Sequence, residues 1–496
     1  MSAKLYKSLL GVIALILMGG VSVVERSLNH EREELGLTRY TELKGAPPVL
    51  ALTTVALGGF RGLISNALWI RANDLQEEGK YFEMVQLADW ITKLEPHFTQ
   101  VWLVQGWNMA YNISVKFKDA PDRWRWVQRG IELLRDQGLQ YNPNDVLIHR
   151  ELAWFFQHKM GANLDDANLY YKQMWANEMS KIFGMDPPNW EALIHPKTQD
   201  EIARATLLKE KFKMDPEFMK MVDEKNGPLE WRLPEAHAIY WAEQGLAAAK
   251  RNERKTEPED LITLRRVVYQ SMQLSVQRGR LVANKADKQF EFGPNLAIVQ
   301  KTSAAYERAM DEDPKNRDHI ETAHRNLLRD VVYLLYTHNR LADAAQWFKY
   351  LGEKYPNKGL IDGDASSVPR NITLDDYALR RIQGETEDMN QDKTIALLEG
   401  LVRTALLSQA VGEEDRYIGY DLLARKVWER YMSKMTSPED LVRRPIPPLP
   451  TIRQDVLQRL LDDELSPELA AQLRTARGMP MPTATTNAPA IEPAKQ

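Results

Sequence analysis

The sequence contains no cysteine. That absence excludes disulfides, thiolate metal sites, cysteine nucleophiles and lipid attachment through an N-terminal lipobox cysteine, and it suits an exported bacterial protein. Charge of one sign is lacking too: 65 basic and 69 acidic residues are interspersed to a formal net charge of -4. No basic field is present to draw counterion-release energy from nucleic acid, so nucleic-acid binding is not expected. Runs of β-branched residues are few, so sheet should be minor.

The patterns that mark an active site are missing as well. Gly58-Gly59 lies in apolar sequence with no Lys-Ser/Thr after it, and neither a dinucleotide glycine pattern nor a G-x-S-x-G elbow occurs. The stretch HIETAH, His319 to His324, sets its histidines five apart, which on a helix turns the imidazoles roughly 140° from each other. They cannot share an ion. His149 and His158 lack a third ligand and read as helix-surface histidines. No catalytic, cofactor-binding or metal-binding residue is assigned, no cofactor is expected, and no small-molecule substrate is evident.

What the chain does have is length, helical composition and an apolar leader. Its 496 residues are 44% hydrophobic and 27% charged, with Ala/Leu/Glu/Arg-rich stretches, which points to an all-α protein built as several domains or as an array. Lys4 and Lys7 precede an uncharged run, Ser8 to Val24, closed by Glu25 and Arg26. The run just spans a hydrocarbon core, and the basic flank keeps the N-terminus inside. The reading is a signal anchor over 8–25 after a cytoplasmic stretch 1–7, with a cleaved signal peptide as the alternative. Residues 26–59 form a linker and an apolar helix. Within it Ala46 to Phe60 is uncharged but holds two prolines; it is expected to lie against the first helices or the membrane surface, and if it spanned, the bulk would be cytoplasmic.

A repeat follows. Leu68, Ala72 and Leu75, then Met84, Ala88 and Ile91, then Pro96, place apolar residues on facing stripes of a helical hairpin that turns at Gly79. The same offsets return at Leu328, Val332, Leu335, Ala344, Phe348, Leu351 and Pro356. Pro96 also precedes Trp102, Gly106 and Met109, which are expected to pack the next unit, Gly106 allowing close helix approach. The period is close to 34 residues and resembles the tetratricopeptide repeat, a helix-turn-helix unit stacked into a superhelix.

That resemblance covers roughly residues 60–190 and 235–358. It implies an α-solenoid of stacked hairpins after the N-terminal transmembrane helix, with one face of each first helix lining a concave peptide-binding groove. On that basis Trp69, Asn73, Gln76, Leu103, Trp107 and Tyr111 are candidate groove residues near the start, and Arg329, Tyr333 and Tyr336 are candidates further on. Aromatic and arginine side chains are what an interface hot spot needs; the alternative is that these rings only fill contacts between adjacent hairpins or cover the N-terminal helix.

The expected organisation is a first helical block, 60–190, an irregular connector, 191–233, and a second block, 234–358. In the second block Ala236, Tyr240 and Ala247 lie along one side of a helix. A small hairpin is expected within Arg280 to Asn295, then a loop, 359–375, C-terminal helices, 376–435, and a Pro-rich spacer with a last helix, Arg453 to Arg474, within 436–477. A disordered tail, 478–496, closes the chain. The functional expectation is a membrane-anchored scaffold or adaptor that binds proteins in a bacterial envelope assembly, held in the inner membrane with its bulk in the periplasm or exterior. The alternatives are a structural homo-oligomer and a non-catalytic accessory subunit of a membrane enzyme complex. Autonomous catalysis is not expected.

Overall fold

The computed structural model describes residues 61–251, 256–283, 290–383, 391–433 and 446–481, with a few isolated positions between 13 and 31. The expected signal anchor, the apolar stretch before Arg61 and most of the tail lie outside the described residues. Among the described residues, no helix is long and apolar enough to cross a membrane.

The protein is mainly helical, and the expected small sheet is present as one antiparallel hairpin, β1 (Arg280–Ala283) with β2 (Phe290–Gly293). The chain divides into two compact units, Met1–Phe98 and Thr99–Gln496. The division falls inside the block expected over 60–190, next to the proline turn after Pro96.

In the first unit, α1 (Arg61–Glu77) packs on α2 (Tyr81–Leu94). Ala72, Leu75, Met84, Ala88, Ile91 and Pro96 are buried and Leu68 is half-buried, as the stripe requires. Gly79 closes the turn at φ 71°, with the Lys80 amide donating to the Leu75 carbonyl at 2.8 Å. This six-to-one bond with a left-handed residue is the Schellman end of a helix.

The second unit contains the other copy of the template. Helices α13 (Arg317–Thr337) and α14 (Leu341–Lys354) bury Leu328, Val332, Leu335, Ala344 and Leu351, half-bury Phe348 and leave Pro356 exposed. Asn339 takes the left-handed position at φ 56°, and Arg340 donates to the Leu335 carbonyl at 2.9 Å. A third hairpin, α16 (Gln391–Ala410) and α17 (Glu414–Ser433), repeats the turn: Gly412 sits at φ 82° and Glu413 donates to Ser408 at 2.8 Å. Here Leu401, Ala405, Ser408, Tyr417, Asp421 and Ala424 occupy the six stripe positions. The tail helices therefore keep the spacing that their residue types conceal. Ser408 satisfies itself by donating to the Thr404 carbonyl, and Asp421 is paired with Arg453 at 2.6 Å.

Between the copies, the helices in order are α3 (Thr99–Trp107), α4 (Ala120–Glu132), α5 (Val146–Trp154), α6 (Asn168–Phe183), α7 (Trp190–Ile194), α8 (Gln199–Thr206), α9 (Pro216–Asn226), α10 (Pro234–Arg251), α11 (Pro258–Arg278) and α12 (Val299–Glu312). Several run on into π-helical turns, including 108–113 after α3 and 155–161 after α5. Trp102, Gly106 and Met109 are buried in α3 and its extension. A Cβ on Gly106 would meet the Leu134 side chain at 3.0 Å, and one on Gly130 would meet the Gly106 carbonyl at 3.0 Å, so this crossing uses both glycines.

Two expectations are corrected. Residues 191–233 are not an irregular connector: they form α7, α8 and α9, with a capping box at Thr198 and Glu201, and bury Leu208, Phe212, Met219 and Val222. Their apolar stripes are too short to register as repeats beside so many exposed charges. Helix α10 is closely packed, as its Trp/Tyr/Ala content implies: every residue from Pro234 to Glu243 is buried, because it packs on α5, α9 and α11 together. The last helix is two, α18 (Leu449–Arg459), extended by the π turn 460–464, and α19 (Pro467–Ala476), since Ser466 caps a new helix with Pro467 in its first turn.

Two glycines of the third hairpin should respond in opposite directions to alanine. A Cβ on Gly419 would lie 2.0 Å from the Thr337 carbonyl oxygen, whereas Gly400 is exposed with nothing within 4 Å. Gly419→Ala is expected to destabilise by about 1–3 kcal/mol through overpacking, and Gly400→Ala to stabilise by up to about 1 kcal/mol through helix propensity. Urea unfolding followed by circular dichroism measures both.

Candidate functional site

Two of the groove candidates, Trp107 and Tyr111, lie in the second unit where α3 and α5 with their π turns lie side by side. Asp145 fixes the start of α5, accepting from the Leu147 and Ile148 amides at 2.9 and 3.2 Å. It also accepts from Thr99 Oγ1 at 2.5 Å, which ties the starts of α3 and α5 together. Both helices then present rings at the same spacing. Trp107 stacks on Tyr111 with centroids 4.0 Å apart and planes within 14°, and Trp154 stacks on His158 at 4.5 Å and 11°.

The two stacks meet. Tyr111 Oη lies 3.1 Å from His158 Nδ1, with the tyrosine donating when Nε2 carries the ring proton. Burial holds the Tyr111 hydroxyl far above its ordinary range, and burial with the neighbouring Lys159 ammonium lowers His158, so both rings favour their neutral forms. Phe155 supports Tyr111 edge-on at 5.7 Å. Lys159 Nζ sits 5.0 Å from the Tyr111 centroid and is itself buried, paired with Asp165 at 2.6 Å. Asp165 in turn holds Arg123 at 2.8 Å. The result is a four-ring row, Trp107, Tyr111, His158 and Trp154, on a braced floor, with Trp107 still 40% exposed.

Glu151 lies on the same face of α5, three residues before Trp154 and seven before His158. Burial pushes its carboxyl up to about 7, only partly opposed by Arg150. Its Oε1 is buried and has no hydrogen-bond partner. This carboxylate is the second cause, after burial, of the upward shift of Tyr111, so it acts on the row.

The other groove candidates fare differently. Trp69 is half-buried with its ring 6.0 Å from Phe98, and Asn73 and Gln76 are exposed on α1. Leu103 is buried and faces the interior. Arg329, Tyr333 and Tyr336 make internal contacts, as the packing alternative has it. Arg329 pairs with Asp362 at 2.8 Å, Tyr336 donates to Asp375 at 2.6 Å, and Tyr333 packs on the cluster formed by Leu328, Tyr355 and Tyr377. The segment from Gly359 to Asn371 and helix α15 (Leu374–Gln383) supply these partners, so the chain covers that face itself.

His149 is corrected: it is buried, with Nε2 at 3.2 Å from the Pro143 carbonyl and its ring stacked against Trp241. His324 is likewise interior, between Ser303 Oγ and Tyr355 Oη at 2.8 Å each. No group of three or more His, Asp or Glu among the described residues is placed to hold a metal. Sequence reasoning missed Trp154, His158 and Glu151 as site residues. The signal was the repeated i, i+4 pair, since Trp154 and His158 follow Trp107 and Tyr111 at one constant offset of 47 residues.

No protein-family profile, curated protein or solved structure matches the chain.

The Glu151 carboxyl gives the site a pH signature. Its folded value of about 7 lies above the ordinary 4.5, so the folded state keeps a proton that the unfolded chain releases, and stability falls as pH rises between those values. Glu151→Gln is therefore expected to raise the melting temperature relative to wild type at pH 8 and to leave it nearly unchanged at pH 4.5. A constant difference across that window would contradict the assignment.

Proposed function

We propose that the chain is a membrane-anchored adaptor of the tetratricopeptide type, which captures a segment of a partner protein on the row formed by Trp107, Tyr111, His158 and Trp154. The observation that carries this reading is the exposure of Trp107 at the end of a stacked, hydrogen-bonded row on a rigid floor. Large rings already held in one rotamer bind at small entropic cost, which is the property of interface hot spots. The Schellman turn recurring in three hairpins, with two of them sharing the apolar stripe, supports the α-solenoid reading. The apolar run Ser8 to Val24, with lysines before it, supports a single-pass anchor in the inner membrane and a bulk facing the periplasm or exterior, where the adaptor serves an envelope assembly. Anchoring raises the effective concentration of the row near membrane-bound partners. The chain performs no catalysis of its own in this reading.

The test compares wild type with Trp107→Ala and Trp154→Ala in the native cells, after crosslinking and membrane solubilisation. Both substitutions are expected to reduce recovery of a reproducible set of envelope proteins at least about tenfold, the effect of losing roughly 1.4 kcal/mol of binding. Trp107→Ala is expected to leave the melting temperature within about 2 °C, because its ring is half in solvent. A large fall in stability with unchanged recovery would assign the rings to packing instead.

A further inference from the structure

A cleft of about 510 Å³ opens in the second unit where the π-helical extension of α4, 133–138, meets α5, α10 and the turn before α9. Its size is that of a small-molecule site. Arg135, 6% exposed, gives Nε and Nη2 to the two carboxylate oxygens of its neighbour Asp136 at 2.6 and 2.8 Å, so that acid is already neutralised. Arg135 Nη1 has no partner among the described residues. Neither has Trp241 Nε1, although His149 stacks on that indole at 6.0 Å and Tyr240 meets it edge-on at 5.1 Å. Glu151 Oε1 and Arg123 Nε are sealed from solvent without a partner, but these two N–H groups are not. They open on the cleft that their residues line.

Two further side chains of the cleft add donors. Tyr240 Oη accepts from the Asp215 amide at 3.0 Å and from Gln244 Nε2 at 3.2 Å, and burial pushes its hydroxyl up to about 12, so it keeps its own proton. Lys213 stands at φ 52°, a left-handed conformation uncommon for lysine. Phe212 and Met214 on either side are buried, and the Phe212 ring lies 5.9 Å from the Arg135 guanidinium carbon. The strained turn thus holds the Lys213 side chain at the rim, 45% exposed, in a loose 3.8 Å contact with Glu210. Asp215 spends its carboxylate on the start of α9, accepting from the Glu217 amide at 3.1 Å. Arg135 and Asp136 cancel, and Lys213 leaves the cleft one positive charge in excess. We infer that the cleft binds a small organic molecule bearing a single carboxylate, drawn by the open N–H groups of Arg135 and Trp241 and by the Lys213 ammonium. A doubly charged phosphate exceeds the one charge available, and a cation meets donors and like charge. This site does not depend on the capture reading.

The experiment uses the full chain in detergent and four probes of one ring size, 4-fluorobenzoate, 4-fluorobenzamide, 4-fluorobenzylamine and 4-fluorophenyl phosphate, with binding read by broadening of the fluorine resonance. The benzoate is expected to bind at least about tenfold more tightly than the amide, and the ammonium weakest. Lys213→Asn removes the charge yet suits the left-handed turn, so it should weaken the benzoate about tenfold at an unchanged melting temperature. Trp241→Phe keeps a ring and removes the N–H, and should weaken it about threefold. Lys209→Asn, at an exposed lysine on the preceding π turn, should change nothing. Equal binding of benzoate and benzamide, tightest binding of the phosphate or the ammonium, or no broadening at millimolar benzoate would each overturn the inference. Benzoate affinity unchanged in Lys213→Asn or Trp241→Phe would overturn it too. So would an equal loss in Lys209→Asn and Lys213→Asn, which assigns the effect to diffuse surface charge.

Discussion

The second unit depends on the burial of one helix end, the first three turns of α10. Ten consecutive residues there are buried, and two of them are Glu235 and His237. A carboxylate 1% exposed is tolerated only with compensation. Burial raises the Glu235 carboxyl, opposed by Arg278, whose Nε stands 3.5 Å away, and by the Lys172 ammonium, itself lowered by burial to about 8. Arg278 also donates to the Gly161 carbonyl at the end of the π turn, and His237 Nε2 donates to the Trp231 carbonyl at 2.8 Å. One knot thus ties α10 to α6, α11 and the extension of α5.

The aromatic row inherits its geometry from that knot. The π turn 155–161 is held at its far end by Arg278, and Gln157 within it donates to the Val267 carbonyl and Ser271 Oγ at 3.1 Å each. With that turn fixed, Trp154 and His158 stand in one plane pair. On the neighbouring helix the crossing at Gly106 and Gly130 seats α3 close to α4, and Trp107 stacks on Tyr111. Wide π turns of this kind relieve a register that regular α-helix would impose, and they recur where side chains have been redirected for use. Rigidity below and exposure above are the two properties that a recognition surface needs together.

The repeat stripe was legible because it is written in residue types. Leu, Ala, Met and Ile at offsets of three, four and sixteen can be read without a structure, and Gly79 announces its turn. The third hairpin was legible as C-terminal helices but not as a copy of the stripe, since Ser408 and Asp421 stand at stripe positions and are satisfied by a helix carbonyl and by Arg453, contacts that spacing cannot supply. The connector was missed for a related reason: Phe212 is buried against Trp175 of α6 rather than against a partner in the same hairpin. At the site, Trp107 and Tyr111 were found from one helix, but the matching Trp154 and His158 were passed over because a histidine was judged alone instead of with the tryptophan four residues before it. Arg329 and Tyr336 misled because their acceptors, Asp362 and Asp375, come from a loop and a helix start that carry no periodicity.

The most direct test of the account places a photo-crosslinking residue, benzoylphenylalanine, at position 107 in one version of the full chain and at position 336 in another, both irradiated in the native cells. The account predicts crosslinks from position 107 to a segment of a different protein, and from position 336 only within the chain, to the region around Asp375 and Lys426 that encloses Tyr336. Crosslinks from position 107 confined to its own chain, with foreign protein captured instead at position 336, would contradict it.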